Sequence, residues 1–545
     1  MKLRKADTPE ARHAAPNPRP EIVPAATEQD LHIERTRARQ LAEQHHLDLV
    51  DLRTVGPDPA AATLLDERTA RNLAAVPLET RDDAVVVAVA DPSVVEDLRA
   101  ALGRRVVAMV AAPTDVLHAI GTAYRALSGI DDRVKVFAAR DAVRKDVRDV
   151  ATGASDEAPV VQVVQLIITQ ALRDRASDVH IEPHGDRVRV RYRIDGALHD
   201  VLELPGSIGP AVVSRIKIVA DLNIVERRRP QDGQISMDVE GRPVDIRVST
   251  TAVVGGEKVV LRLLDKSRPL FRLGQLGMPD EQAAAYSSLL RAPYGMVICA
   301  GPTGSGKTTT LYGSLGEINS PERNIMTIED PVEYTFDSIN QIQINEAAGI
   351  TFAGGLRSIL RQDPDVILVG EVRDVETARI AVQSALTGHF VLSSLHATDA
   401  ATALHRLLDM GIETFLVASS VTAVVSQRLV RRICPNCREY YEPPTEELAF
   451  LASAGGVAPR DGFVRGAGCN YCAQTGFLER TGVYELMPIS DAIRELVVDR
   501  ASHEEIRKAA RYEGMRTLTE EGVRLAAAGV TTVGEVMRSI YRVGS

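Results

Sequence analysis

No stretch of this 545-residue chain stays apolar for long. The longest hydrophobic runs, residues 84–90 and 106–112, have the length of strands and fall far short of the roughly 18 residues a membrane span needs. Residues 1–30 carry Lys and Arg, then Pro, Ala and Glu, without the apolar centre of a secretory leader. The expectation is a cytoplasmic protein that reaches a membrane only through partners. Positive charge is also scarce: 64 Lys and Arg stand against 74 Asp and Glu, a net charge of -10. Nucleic acid is usually bound through a Lys/Arg excess, so it is not expected as a direct partner. There are only five cysteines. Four of them fall in two C-x-x-C pairs, which in a cytosolic chain favours metal over disulfide. The rest is ordinary globular composition, 45% hydrophobic and 25% charged, which allows large cores. The length suggests roughly three or four domains.

The stretch that organises the chain is Gly301-Pro302-Thr303-Gly304-Ser305-Gly306-Lys307-Thr308, followed by Thr309. It matches the phosphate-binding loop G-x-x-x-x-G-K-[ST]. A short apolar run precedes it, and Leu311, Leu315 and Ile318 follow at helical spacing. Strand before and helix after set it apart from a chance glycine-rich turn. The glycines let backbone N–H groups curl inward, and the helix N-terminus adds positive potential. Lys307 is expected to reach the β- and γ-phosphates of ATP, and the Thr308 hydroxyl to ligate Mg²⁺.

Before this loop, a small α/β domain is expected over 31–125, after a disordered tail of 1–30 and before a charged linker over 126–157. Pro159 opens an amphipathic helix with Val160, Val163, Val164, Ile167, Ile168, Ala171 and Leu172 on one face. Several strands follow. In the strand from Arg187 to Arg193, arginines alternate with bulky residues and so share one sheet face. That stripe is either a solvated face or a source of a catalytic arginine.

After the loop, strands alternate with helices, which implies a parallel sheet whose ligands bind at the carboxyl ends of strands. The loop, Glu329, Glu371 and His396 each follow an expected strand closely, so they should meet on one edge. Hydrolysis of ATP needs Mg²⁺ held near the phosphates and a water aimed in line. Glu371 ends an apolar strand, with Gly370 where an Asp commonly stands. It holds Mg²⁺ through a water or polarises the attacking water, and Glu329 is the rival for the second role. Farther on, Cys434, Cys437, Cys469 and Cys472 present four thiolates, a set that suits tetrahedral, structural Zn²⁺ with no open position. Cys299 reads as a core residue.

Together these residues resemble the secretion-superfamily ATPases of the GspE/PulE group, the assembly motors of type II secretion systems and type IV pili. The matching stretches are Ala176-Ser-Asp-Val-His-Ile-Glu-Pro183, Arg191-Tyr-Arg-Ile-Asp-Gly196, Arg229-Pro-Gln-Asp-Gly233, the loop, Ile328-Glu-Asp-Pro-Val-Glu333, Leu360 through Asp374, and Thr387-Gly-His389 to His396. The resemblance covers residues 158–545 closely and the N-terminal domain more loosely. It implies a hexameric ring with ATP at subunit contacts. It makes Glu329 the water-activating base, Glu371 the acid near Mg²⁺, and His389 and His396 the sensors of the γ-phosphate. Arg191 and Arg193 fall in the region that supplies arginine fingers, and Gly206 stands where some relatives carry another Arg. The paired cysteines favour assembly over retraction motors.

The expected fold is thus multidomain α/β. A PAS-like domain spans 158–268, a RecA-like P-loop core 269–425, a four-cysteine zinc subdomain 426–487 and C-terminal helices 488–545. The expected function is an ATP hydrolase that drives polymerisation of pilin-like subunits. Its expected partners are an inner-membrane platform protein and an adaptor, cytoplasmic or bitopic, that docks the N-terminal domain. It is expected at the inner face of the plasma membrane. The alternatives are a retraction or DNA-uptake motor and, from another class, a nucleic-acid translocase.

Overall fold

The computed structural model describes residues 28–124, 159–239, 241–265 and 273–540. The expected linker over 126–157, and the expected tail as far as residue 27, lie outside the described residues. The chain divides into two compact units, 1–123 and 124–545.

In the first unit, β1 (Asp48–Leu49), β2 (Ala75–Arg81), β3 (Ala84–Val89) and β4 (Arg105–Val110) form one sheet in the order β1-β4-β3-β2. β3 is apolar along its whole length because it is an inner strand buried on both faces. Asp91 then accepts a hydrogen bond from the Ser93 amide and starts the next helical segment.

The first described helix of the second unit is the amphipathic Pro159–Arg173, whose Val163, Val164, Ile167, Ile168 and Ala171 are buried. The helix covers an antiparallel sheet of β5 (Asp178–His184), β6 (Arg187–Ile194), β7 (Ala197–Pro205), β8 (Gln231–Val239), β9 (Arg242–Val253) and β10 (Gly256–Asp265). The sheet order is β7-β6-β5-β10-β9-β8. Val188, Val190 and Tyr192 point into this core, and the Tyr192 hydroxyl donates to the Ile167 carbonyl at 2.6 Å. The intervening arginines therefore take the opposite face, as their alternation requires. β8 carries Gln, Asp, Gly and Ser at most positions, and only its second half alternates, with Ile235, Met237 and Val239 turned toward the core.

The largest sheet contains β11 (Gly295–Ala300), β12 (Ile325–Glu329), β13 (Asn340–Gln343), β14 (Val366–Val369), β15 (Phe390–Leu395), β16 (Val421–Ile433) and β19 (Phe477–Pro488). Its order is β13-β12-β14-β15-β11-β16-β19, and only β19 runs antiparallel to its neighbour. Successive residues of each inner strand feed opposite cores. Ile298, Val369 and Val391 face one side, packed under the helix Val375–Leu386. Val297, Cys299, Leu368 and Leu392 face the other, under Leu311, Leu315 and Ile318 of the helix Lys307–Ile318. Cys299 is a core residue, and burial pushes its thiol up to about 12.

A domain border between residues 425 and 426 would cut β16. The strand runs from the core sheet out to the cysteines, paired along its length with β19. The four-cysteine module is thus carried on two strands of the largest sheet, with its own ribbon of β17 (Arg438–Tyr441) and β18 (Phe463–Gly466). Four helices close the chain: Asp491–Val498, His503–Tyr512, Leu518–Ala527 and Val533–Ser539. Glu535, held near pKa 2 despite burial by the guanidinium groups of Arg538 and Arg431, pins the last helix to β16. Among the described residues, no helix is long and apolar enough to cross a membrane.

Candidate nucleotide site and four-cysteine centre

β11 ends at Ala300, and the chain turns through the glycine-rich loop into the helix Lys307–Ile318. Gly304 and Gly306 lie in the left-handed region, with φ of 75° and 89°, where a side chain is strained. A Cβ on Gly306 would also come within 3.0 Å of Gln427 Nε2. Gln427, on the neighbouring β16, braces the loop. Its amide donates to the Ser305 carbonyl at 2.6 Å and accepts from the Cys299 thiol at 3.3 Å. Pro302, Thr303, Gly304, Thr308 and Thr309 are exposed at the mouth. Lys307 Nζ donates to the carbonyls of Gly301 and Pro302 at 2.9 and 3.1 Å. Burial lowers its pKa, Cys299 and Glu371 oppose the shift, and Arg428 adds to it. The donor set fits a polyphosphate: a helix N-terminus, an ammonium group and a neighbouring hydroxyl.

The parallel register aligns the strand ends. Ala300 pairs with Leu395, Val369 with Ser393, and Ile328 with Val369. The loop, Glu329, Glu371 and His396 therefore share the carboxyl edge of the sheet. Glu371 is partly exposed there, its side chain 15% accessible, and one oxygen lies 2.7 Å from His396 Nε2 while the other accepts from Arg373 Nε at 2.8 Å. Gly370 precedes it because the space is taken: a Cβ there would lie 3.2 Å from the Ile328 carbonyl and 3.3 Å from Glu329 Cα. An Asp at this position would be crowded by β12.

Glu329 reaches the same edge but turns inward. It is 3% exposed. One oxygen accepts from Thr327 Oγ1 at 2.6 Å and from Gln341 Nε2 at 3.2 Å, and the other accepts from the Tyr312 hydroxyl. Burial, together with the carboxylate, raises the Tyr312 pKa, so this phenol stays protonated and keeps donating. The base role implied for Glu329 needs a carboxylate open to water, and this one is closed in by three donors.

His389 is not brought to the loop. It precedes β15, whereas His396 follows it, so the two rings belong to opposite edges of the sheet. A strand of this length separates them by roughly 20 Å. His389 instead closes a helix-to-strand turn, with Nδ1 3.1 Å from the Ser384 carbonyl. Arg191 and Arg193 share the outer face of β6, as expected, and both are engaged within their own sheet. Arg191 makes a forked pair with Glu182 at 2.8 and 3.0 Å. Arg193 donates to the Gly196 carbonyl at 3.0 Å and lies 3.6 Å from Asp178.

The four expected cysteines do converge. Cys434, Cys437, Cys469 and Cys472 place their sulfurs within 4.8 Å of one another. Three of the separations, 434–469, 437–472 and 469–472, are 3.8 Å. A tetrahedron with metal–sulfur bonds of about 2.3 Å has edges of about 3.8 Å. The amides of Cys469 and Gly476 donate to Cys472 Sγ at 3.3 and 3.2 Å, which favours its thiolate. Gln427, Arg428 and Tyr312 escaped sequence reading as site residues, since their roles arise only from contacts across the fold.

A phosphate-binding loop, a partly exposed acid and its partnered histidine on one edge of a doubly wound sheet define a P-loop ATPase. Residues 153–538 match the family model described as "Type II/IV secretion system protein", and residues 45–129 match an MshEN domain. The type II secretion system protein HxcR of Pseudomonas aeruginosa is 51% identical over 383 residues, covering 70% of this chain and 78% of the relative. The type IV pilus assembly ATPase PilB of Myxococcus xanthus is 41% identical over 508 residues, covering 91% and 89%. The type II secretion system protein E of Xanthomonas campestris pv. campestris is 41% identical over 517 residues, covering 93% and 90%. The Legionella pneumophila ATPase DotB shares the fold, with a TM-score of 0.51 at 20% identity over 72% of this chain and 97% of DotB. The chain belongs to the type II/IV secretion system protein family and is an ATPase of a type II secretion system or of type IV pilus assembly.

Proposed function

We propose that the protein works as a homo-hexameric ring on the cytoplasmic face of the inner membrane and spends ATP on polymerising pilin-like subunits. The observation that carries this reading is the convergence of Lys307, Glu371 and His396 on one sheet edge in a chain of this family. In the ring, the RecA-like half of the second unit binds ATP at a subunit contact. The PAS-like half presents its arginine face toward a neighbour. The N-terminal domain docks an adaptor, and a platform protein in the membrane receives the motion.

Thr308 and Glu371 are the residues that would hold Mg²⁺, which supplies charge neutralisation at the phosphates. Lys307 binds the phosphates. Glu371 orients the attacking water, and His396 reports the γ-phosphate through its contact with Glu371. The test is in cells. A strain lacking this gene should assemble no fibres of its pilin-like subunits and regain them with the wild-type gene but not with Glu371→Gln. Normal fibres in the deletion strain would overturn the reading. Loss of retraction or DNA uptake alone, with fibres intact, would favour the retraction motor.

The cysteine centre is proposed to hold one structural Zn²⁺ per chain, since four sulfurs leave no open position. Metal analysis of freshly purified protein should find about one zinc per chain. Cys434→Ser or Cys469→Ser should lower folded yield before it alters turnover per folded site. An intact, metal-free protein would remove zinc from the account.

A further inference from the structure

β16 outruns β11. Ser426 pairs with Ala300, the last residue before the loop, so Gln427 and Arg428 lie beside the loop. They face different partners. Gln427 is buried and holds the loop through Ser305. Arg428 reaches the other way, where one terminal nitrogen donates to the Thr398 carbonyl at 2.8 Å and the other to the Gln427 carbonyl at 3.0 Å. Thr398 belongs to the short segment that leaves β15 with His396 and enters the helix Ala400–Asp409.

That segment is fixed at both ends. His396 meets Glu371 at 2.7 Å. At the far end, Asp399 accepts from the Thr402 amide at 2.8 Å and lies 2.9 Å from His503 Nε2 on a C-terminal helix. The buried Glu485 of β19 accepts from the Ala400 amide at 2.7 Å and the Leu518 amide at 3.2 Å. Each end is held by a side chain, and in between Arg428 grips the main chain at Thr398. A forked guanidinium suits this place because it bonds two carbonyls at once, Gln427 on β16 and Thr398 in the segment after β15. Arg428 is also close enough to Lys307 to depress that amine, after the larger effect of burial. Two cations converging beside one loop is the arrangement an anion would stabilise.

We propose that Arg428 is a positioning residue of the ATPase site in its own subunit, tying the loop-side end of β16 to residues 396–399 and so setting where His396 meets Glu371. The inference rests on the proposed role of His396 at the γ-phosphate. Its signature is a split between steps. Gln427 still holds the loop when Arg428 is lost, so nucleotide binding persists, while a histidine displaced by about 1 Å costs turnover up to roughly 100-fold.

The experiment is a double-mutant cycle on the full chain, with kcat and KM for MgATP, Kd for MgADP and the melting temperature. Arg428→Ala should lower kcat roughly 10- to 100-fold with Kd for MgADP within about twofold of wild type. His396→Ala should lower kcat as well. Arg428→Ala on top of His396→Ala should then cost little more, because the arginine acts through the histidine. Arg428→Lys, which keeps the charge but not the forked geometry, should recover part of the loss and decides the matter if the alanine variant unfolds. Multiplying losses in the double variant would overturn the proposal while leaving the role of His396 intact. Wild-type turnover in His396→Ala would sink the reading of that histidine and this inference with it. Wild-type turnover in Arg428→Ala would sink the inference alone.

Discussion

Lys307→Ala should abolish ATP hydrolysis and weaken nucleotide binding. The lysine is the one ammonium group the loop supplies, and it starts the helix whose N-terminus faces the phosphates. Partial burial already strains its charge, so its pKa is lowered by desolvation, and a bound polyphosphate relieves that strain. Preorganised charge of this kind typically contributes about 10²–10³-fold per group where negative charge develops. The fold should survive. The loop is held by Gln427 through Ser305 and by the buried Leu311 and Leu315, none of which depends on the ammonium. Phosphate release and equilibrium binding of a fluorescent nucleotide, read beside a melting curve, check this. Turnover near wild type with an intact fold would mean that the hydrolysis site lies elsewhere.

Glu371→Gln should keep nucleotide binding and cut turnover by roughly 10²–10⁴-fold, the range for loss of a group that handles the attacking water. Its carboxylate is partly exposed, is partnered by His396 and acts on Lys307 through space. Glu329→Gln should behave differently. The carboxylate collects donors from Thr327, Tyr312 and Gln341, and an amide in its place turns an NH₂ toward at least one of them. A mismatched buried donor costs about 1–3 kcal/mol, so the melting temperature falls. Turnover per folded site falls less than in Glu371→Gln. If Glu329→Gln instead melts normally and loses more turnover than Glu371→Gln, Glu329 is the base and the enclosure opens when ATP binds.

What the sequence made legible was local. The loop could be read because strand, glycines, lysine and helix follow one another without a gap. The arginine stripe could be read because a strand has a period of two. The cysteine pairs could be read from their spacing, although the 3.8 Å sulfur separations come only from folding. The illegible parts were long-range. β8 alternates only over its second half, where Ile235, Met237 and Val239 face the core, and its polar first half, Gln231 to Gln234, masks that short pattern. Gln427 lies 122 positions from the Ser305 it supports, and nothing in a run of Ser-Gln-Arg-Leu announces that. Glu329 reads as an acid at a strand end, which it is. Its enclosure depends on Tyr312, a residue of the loop helix, and on Gln341 of β13. His389 and His396 stand on either side of a single strand, so strand length alone should have separated them in space.

In the proposed ring each ATP site is completed by a neighbour. Arg191 and Arg193 occupy one sheet face, and a trans arginine adds roughly 10³–10⁵ in rate to a bare P-loop site. Glu182 holds Arg191 in a forked pair, so as a finger in the proposed ring Arg191 would exchange that carboxylate for a phosphate of another subunit. Mixing tests this directly. A Lys307→Ala subunit keeps its arginines, and an Arg191→Ala or Arg193→Ala subunit keeps its loop. Rings shown to contain both kinds of subunit should recover ATP turnover that neither parent has. Mixed rings that stay as inactive as their parents would contradict the account and leave these arginines working within their own sheet.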